Sequence, residues 1–451
     1  MAHGERVPMT DTVVRTRRGW YHGWNIVAAC VLAQAVANGL PVNAFSLFLQ
    51  DWSTQLHAPI SFFQLGLAAL GVVSAFGSPW VGVLADKYPA RWLLGGGLLS
   101  TALFCIGVSV VRTSWQLLAL FTVVLPVSVL FSSSLPANAV VARWFVKRLG
   151  LALGLAAFGL GLAGVVLPPL VAAIMPVLGW RLIWRGSGIL IALVVAPLVM
   201  WVVRDRPDES DGIHYVPEDR ASSAAHGVGR GSHPGNTNLT WQGVLGRRNF
   251  WLLVAIFLPM LGLYGGCGNN LAPIAASQEL SRQTAGMLLS ALSFAHVAST
   301  LLSGLLSDRF GNRLPLAGLA MSAAAGGFLV ALGHGVIDLG IGVVLVGLGG
   351  GMWPLLAAAI AREFGARGVG RAFGLLMMFL PVIVLMPFAV AKIHEVFGSY
   401  APALAGLAGL TLLSGTACLV FMRERRVDPG TSGIAHEVAL VEPLDRSQRT
   451  L

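Results

Sequence analysis

Apolar residues in this chain run in long unbroken stretches separated by short polar breaks. Twelve stretches lie near 23–49, 62–84, 92–111, 115–142, 150–177, 180–203, 249–277, 283–306, 314–335, 338–361, 370–392 and 399–422. Each is about as long as the 20 or so residues a helix needs to cross a bilayer. They are continuous rather than alternating, which predicts helices and argues against a transmembrane barrel. One long polar segment interrupts the series at 204–248, with charges in Asp205–Asp211 and Gly, Ser, His and Pro in Ser222–Asn238. The pattern predicts an all-α membrane protein of twelve transmembrane helices in two six-helix bundles. Its parts are a tail at 1–22, a bundle at 23–203, a flexible linker at 204–248, a bundle at 249–422 and a tail at 423–451.

Composition agrees. Of 451 residues, 55% are hydrophobic and 11% charged, against about 25% charged in soluble proteins. The basic start, with Arg6, Arg15, Arg17 and Arg18, resembles a signal peptide. The apolar run after it is too long for one and lacks a small-residue cleavage site. Cys30, Cys105, Cys267 and Cys418 lie far apart in apolar runs and read as inert helix residues. The spans hold no metal-ligand spacing and no paired carboxylates, and the chain has no phosphate-binding Gly-rich lysine loop. Neither enzyme activity nor a cofactor is expected.

Charge sets the orientation. Of 30 Lys and Arg residues, 25 fall on the side of the linker and both tails. Arg112, Arg181, Arg185, Arg282 and Lys392 fall on the other. This asymmetry predicts cytoplasmic termini in a cell inner membrane. It also accounts for the net charge of +10 through anionic lipid head groups rather than nucleic acid.

The halves repeat. Gly82-Val-Leu84-Ala-Asp86-Lys87-Tyr-Pro89-Ala-Arg91 follows the second stretch, and Gly304-Leu-Leu306-Ser-Asp308-Arg309-Phe-Gly311-Asn-Arg313 follows the eighth. Ala142-Arg143-Trp-Phe145 follows the fourth and Ala361-Arg362-Glu-Phe364 the tenth. An Asp at a helix end accepts from a neighbouring helix N-terminus and pairs with Arg at the same depth. Asp86, Arg91, Arg143, Asp308, Arg313 and Arg362 are therefore gating candidates. Repeated halves place a binding site near the midplane between them.

These motifs resemble the major facilitator superfamily, whose loop signature the second copy matches in full; Pro89 replaces a glycine in the first. Tyr21-His-Gly23-Trp24, Pro41, the Ala142–Gly154 run and Gly179-Trp180-Arg181 resemble its monocarboxylate-porter and oxalate/formate-antiporter branch. The resemblance implies movement of small organic anions, often with a proton. That branch typically carries a Lys just after the Pro and an Asp and Arg four apart in the eighth span. Here those positions hold Val42, His296 and Thr300. A charge at a helix centre costs about 2.5–3.5 kcal/mol on insertion scales, so it persists where it is used. The usual anion-binding cation is absent from both positions.

The remaining intramembrane polar residues are the candidate site. His296, near mid-depth, is the proton-coupling candidate, since a histidine can change charge in the physiological range; the alternatives are a hydrogen bond to substrate or a neutral ring bonded to a neighbouring helix. Gln34 and Asn38 share a helix face, either toward the cavity or bonding another helix. Asn138 in the fourth span and Thr300 in the eighth are further substrate-contact candidates. Tyr264-Gly-Gly-Cys-Gly268-Asn269-Asn270 suggests local unwinding of the seventh span, with Tyr264, Asn269 and Asn270 lining a cavity; glycine-mediated helix packing is the alternative. Arg371, Lys392 and Arg185 read as interfacial anchors. The partners expected are a small solute, protons as coupling ion and lipid, with the chain a monomer. Three functions fit: a proton-coupled transporter of a small organic acid, an exporter or facilitator of a neutral or amphipathic molecule, and a transporter-like receptor without flux.

Overall fold

The computed structural model describes residues 21–132, 134–145, 149–205 and 241–422. The side chains of Asp86, Asp308 and Arg371 lie outside the described residues, as do most of the linker and both tails. Eleven helical stretches are long and apolar enough to cross a membrane. One of them, Ala152–Val202, has 51 residues. At 1.5 Å per residue it would extend roughly 75 Å, over twice the hydrocarbon thickness. It is broken at Gly179, whose φ of 68° and ψ of 158° are open to glycine and costly for other residues. The two sides of Gly179 are separate crossings, so the described residues form twelve spans, six on each side of the linker.

The spans are Gly23–Asn43, Ile60–Val81, Ala90–Val110 and Ser114–Val141, the two parts of Ala152–Val202, then Arg248–Ser277, Arg282–Ser307, Arg313–Leu332, Val336–Phe364, Ala372–Phe397 and Ala401–Phe421. They are called spans 1 to 12 below. With an even number in each half, the linker and the described chain ends share one face, the linker end; the other face is the distal end. Large apolar side chains such as Phe76, Trp80 and Trp201 stand at least 74% exposed. That is the outer surface of a multi-pass membrane protein, with lipid in the place of water.

Local irregularities follow from single residues. Pro41 cannot donate to the helical ladder, and span 1 absorbs this in a π-helical turn, Gly39–Asn43, closed by Ala44 N–H donating to the Gly39 carbonyl at 3.0 Å. In span 10 the α-helix Val336–Gly350 stops and a new helix starts at Trp353. Pro354 has no N–H to offer the Gly350 carbonyl. The unwinding expected in span 7 does not occur: Arg248–Ser277 is one continuous helix. Its glycines serve packing instead. A side chain at Gly262 would meet Met386, and one at Gly266 would meet Val390 and Leu407. A five-residue helix, Trp241–Leu245, occupies part of the expected linker.

Small residues set the contact between halves, as they do wherever helices pack without a hydrophobic driving force. Span 5 lies on span 8: side chains at Gly161, Gly164 and Gly286 would meet Val297, Ser293 and Ala172 respectively. Span 2 lies on span 11, with Gly71 against Val384. Span 1 continues as Phe45–Gln55 and is held there by a buried aromatic cluster of Phe45, Phe48, Trp52, Phe121 and Trp184.

Candidate functional site between the two halves

The polar contacts described between halves gather toward the distal end. Asp51, beyond span 1, takes a two-pronged ion pair from Arg282 at the start of span 8, at 3.0 and 3.1 Å. Glu395 on span 11 accepts from the Ser61 N–H at the start of span 2 at 3.0 Å, and Lys392 donates to its other oxygen at 3.0 Å. Gln64 on span 2 is fully buried, and its amide donates to the Asn269 carbonyl at 2.9 Å and to Asn270 Oδ1 at 3.0 Å. Deeper in, Ser290 on span 8 donates to the Val165 carbonyl of span 5 at 2.6 Å. Apart from the Lys392–Glu395 pair within span 11, each tie joins one half to the other.

Below this seal lies the C-terminal wall of the interface. The His296 ring stands 5.1 Å from the Tyr264 ring, tilted by 45°. Gly350 of span 10 closes the pocket around them: a Cβ there would fall 2.3 Å from His296 Nδ1 and 2.9 Å from the Tyr264 ring. Nδ1 is buried without a hydrogen-bond partner among the described residues. Thr300 is bonded back to the His296 carbonyl at 2.8 Å, one turn along its own helix. Across the interface, Asn43 at the end of the π-helical turn and Ser293 of span 8 both lie beside Gly164.

The structure thus brings together Tyr264, His296 and Thr300, and, nearer the distal end, Asn269 and Asn270. Asn270 is fully buried and also donates to the Gly266 and Pro387 carbonyls at 2.9 and 3.1 Å, so it knits spans 7 and 11. Gln34 and Asn38 stand apart. Gln34 is fully buried and donates to the Ala156 carbonyl of span 5 at 3.0 Å, and Asn38 donates to the Gln34 carbonyl at 3.1 Å. Their shared face packs inside the N-terminal half in this conformation. Asn138 is exposed on span 4.

At the linker end the two repeated motifs do equivalent structural work. The Tyr21 hydroxyl donates to the Trp144 carbonyl, and Trp24 packs edge-on against Phe145 at 4.9 Å. In the second half Arg247 donates to the Glu363 carbonyl at 2.9 Å, and Phe250 faces Phe364 at 6.4 Å. Each half thereby fastens the start of its first span to the end of its fourth. Glu363 adds an ion pair to Arg247 at 3.1 Å and accepts from Asn249 at 2.8 Å. Among the gating candidates, Arg362 donates to the carbonyl of Ser307, next to Asp308, at 3.1 Å, and Arg313 reaches the Leu419 carbonyl. Arg91 is exposed and stacks on Trp92 at 5.5 Å. Arg143 ends span 4 half-buried.

The sequence reading missed Asp51, Gln64, Arg282, Glu395 and Gly350. Gln64 alone carried a signal, an amide within an apolar run. Asp51 and Arg282 are 231 positions apart, and nothing in their local sequence pairs them.

Comparison with known proteins fixes the family. The sequence profile of the Major Facilitator Superfamily matches residues 31–274 and 266–446. Monocarboxylate transporter 12 of Homo sapiens is 27% identical over 64% of this chain and 58% of its own length. Riboflavin transporter RibJ of Trypanosoma brucei brucei is 28% identical over 48% of this chain and 38% of its own. The chain therefore spans less than two thirds of either relative. Among solved structures, that of the nucleoside transporter NupG aligns with a TM-score of 0.67 at 12% identity, covering 88% of this chain and all of the other, a likeness of fold. With twelve spans, a repeated loop signature and a profile match across most of its length, the chain belongs to the Major Facilitator Superfamily.

Proposed function

We propose that this protein is a secondary transporter that carries a small organic acid together with a proton, by rocking two six-helix units, 23–203 and 249–422, about a central site. The observation that carries this reading is the distribution of ties between halves. Reciprocal polar contacts seal the distal end, where Asp51 of one half holds Arg282 of the other and Glu395 of the second half holds Ser61 of the first. Contacts of this strength are exchangeable. A seal on one face that can be undone is what alternating access requires. The charge asymmetry supports a cytoplasmic linker end, and with that orientation this conformation is closed to the outside. Asp86, Arg91, Arg143, Asp308, Arg313 and Arg362 then form the inner gate, which re-closes when the distal end opens. The protein works as a monomer in the inner membrane.

The monocarboxylate transporter among the relatives supports an organic-acid substrate. His296 takes the coupling proton, and Tyr264, Asn269, Asn270, Thr300, Gln34, Asn38 and Asn138 supply polar contacts during the cycle. A second reading, transport of a neutral or amphipathic molecule, is favoured by Val42 and Thr300 standing where cations are usual, and by the riboflavin transporter among the relatives. Purified protein in liposomes separates the two. Short monocarboxylates should accumulate under an inward proton gradient and not without one. Gradient-independent equilibration of a neutral solute would favour the second reading. Ligand binding without flux under any gradient would refute both.

A further inference from the structure

Span 10 is broken where it passes His296. Gly351 and Met352 separate the helix Val336–Gly350 from the helix that begins at Trp353. Glycines and a proline lacking a donor for the Gly350 carbonyl are recognised causes of such a break. Spans 8 and 10 also pack tightly at the break. A Cβ at Gly350 would fall 2.3 Å from His296 Nδ1, and one at Gly351 would fall 2.4 Å from Ser299 Oγ. Ser299 donates to the Leu348 carbonyl at 2.6 Å and so fixes the upper segment of span 10 to span 8. The lower segment carries Arg362, which holds the Ser307 carbonyl, and Glu363, which holds Arg247 and Asn249. The imidazole therefore sits at the joint between an upper segment fastened to span 8 and a lower segment fastened, at the linker end, to spans 7 and 8 of its own half.

We infer that Gly350 is a positioning residue: it seats the His296 imidazole in the broken turn of span 10, so that a change in what the imidazole binds tilts the lower segment and the linker-end ties with it. A bulkier residue closes that notch, because a Cβ would fall 2.3 Å from Nδ1, nearer than unbonded atoms pack, and the ring would have to shift. The inference rests on the alternating-access reading above, but its test needs no substrate. Failure here with flux intact would leave that reading standing.

The test is a double-mutant cycle read by spin-label distances across the linker end. Labels are placed at Tyr88→Cys and Phe310→Cys, both exposed sites on opposite halves, with the four native cysteines buried. Gly350→Ala should change the ratio of the two distance populations by about fivefold or more, as overpacking of a tight contact does. On a His296→Ala background the 2.3 Å clash is gone and the Tyr264 ring, at 2.9 Å, remains, so the same substitution should change the ratio by about half as much or less. An equal change in both backgrounds, or none in either, overturns the inference. Pro354→Ala gives the Gly350 carbonyl its donor back and should narrow the distribution toward a single population. An unchanged distribution in that variant also overturns it.

Discussion

Replacing Gln64 with leucine tests the distal seal at its most buried point. The Gln64 amide makes two hydrogen bonds to the other half, to the Asn269 carbonyl and to Asn270 Oδ1. At roughly 1 kcal/mol each, their loss costs about 2 kcal/mol. Asn270 Oδ1 is then left buried without that donor, which adds about 1–3 kcal/mol. Against this, Gln64 Oε1 is itself buried without a partner among the described residues, and removing it returns a similar amount. The balance is about 2 kcal/mol against the sealed conformation, or about 30-fold in the ratio of sealed to open. Water restores all these bonds when the distal end opens, so the cost falls on the sealed state alone. Spin labels at Thr54→Cys and Glu279→Cys, exposed on opposite halves at that end, would report the ratio as a gain in the longer distance. A Gln64→Leu protein with unchanged distances would mean that the amide does not hold the seal, and the reasoning would fail.

Three further outcomes follow from the same geometry. Asp51→Asn and Arg282→Gln should each weaken the seal by about 1 kcal/mol, since the pair is partly exposed, and the double variant should cost less than the sum; strict additivity in the distance measurement would show the pair to be uncoupled. His296→Ala should remove the pH-dependent part of uptake while the protein remains folded, and a pH profile identical to the wild type would exclude the imidazole as the proton carrier. Gly23→Ala should lower thermal stability by about 1–3 kcal/mol, because a Cβ there would fall 2.3 Å from the Tyr21 ring and 3.0 Å from Phe145; a melting temperature equal to the wild type would remove the first-to-fourth-span fastening from the account.

The spans were legible because the bilayer imposes one dominant constraint, a run of apolar residues of fixed length, and the residues obey it throughout. The internal repeat was legible too, and the structure gives it a physical meaning. Tyr21 and Trp24 pair with Trp144 and Phe145 as Arg247 and Phe250 pair with Glu363 and Phe364. Helix irregularities were harder to place. Glycines in span 7 suggested unwinding, but a helix keeps its hydrogen bonds through glycine when neighbours such as Met386 and Val390 fill the space. Breaks fell at Pro41, before Pro354 and, in span 11, before Pro381 and Pro387, where a donor is missing. The distal seal was invisible in the sequence, because Asp51 with Arg282 and Ser61 with Glu395 are joined only by the docking of the two halves.

Locking that seal tests the central claim most directly. Ser61→Cys and Glu395→Cys place thiols at two positions now tied across the halves, where the Ser61 N–H donates to the Glu395 carboxylate at 3.0 Å, and a short bis-methanethiosulfonate linker would join them. In liposomes, with a solute found to accumulate under a proton gradient, the account predicts that the cross-linked protein carries no flux and that a reductant, which cleaves the linker, restores it. Undiminished flux through the cross-linked protein would contradict a mechanism in which the distal end must open on every cycle.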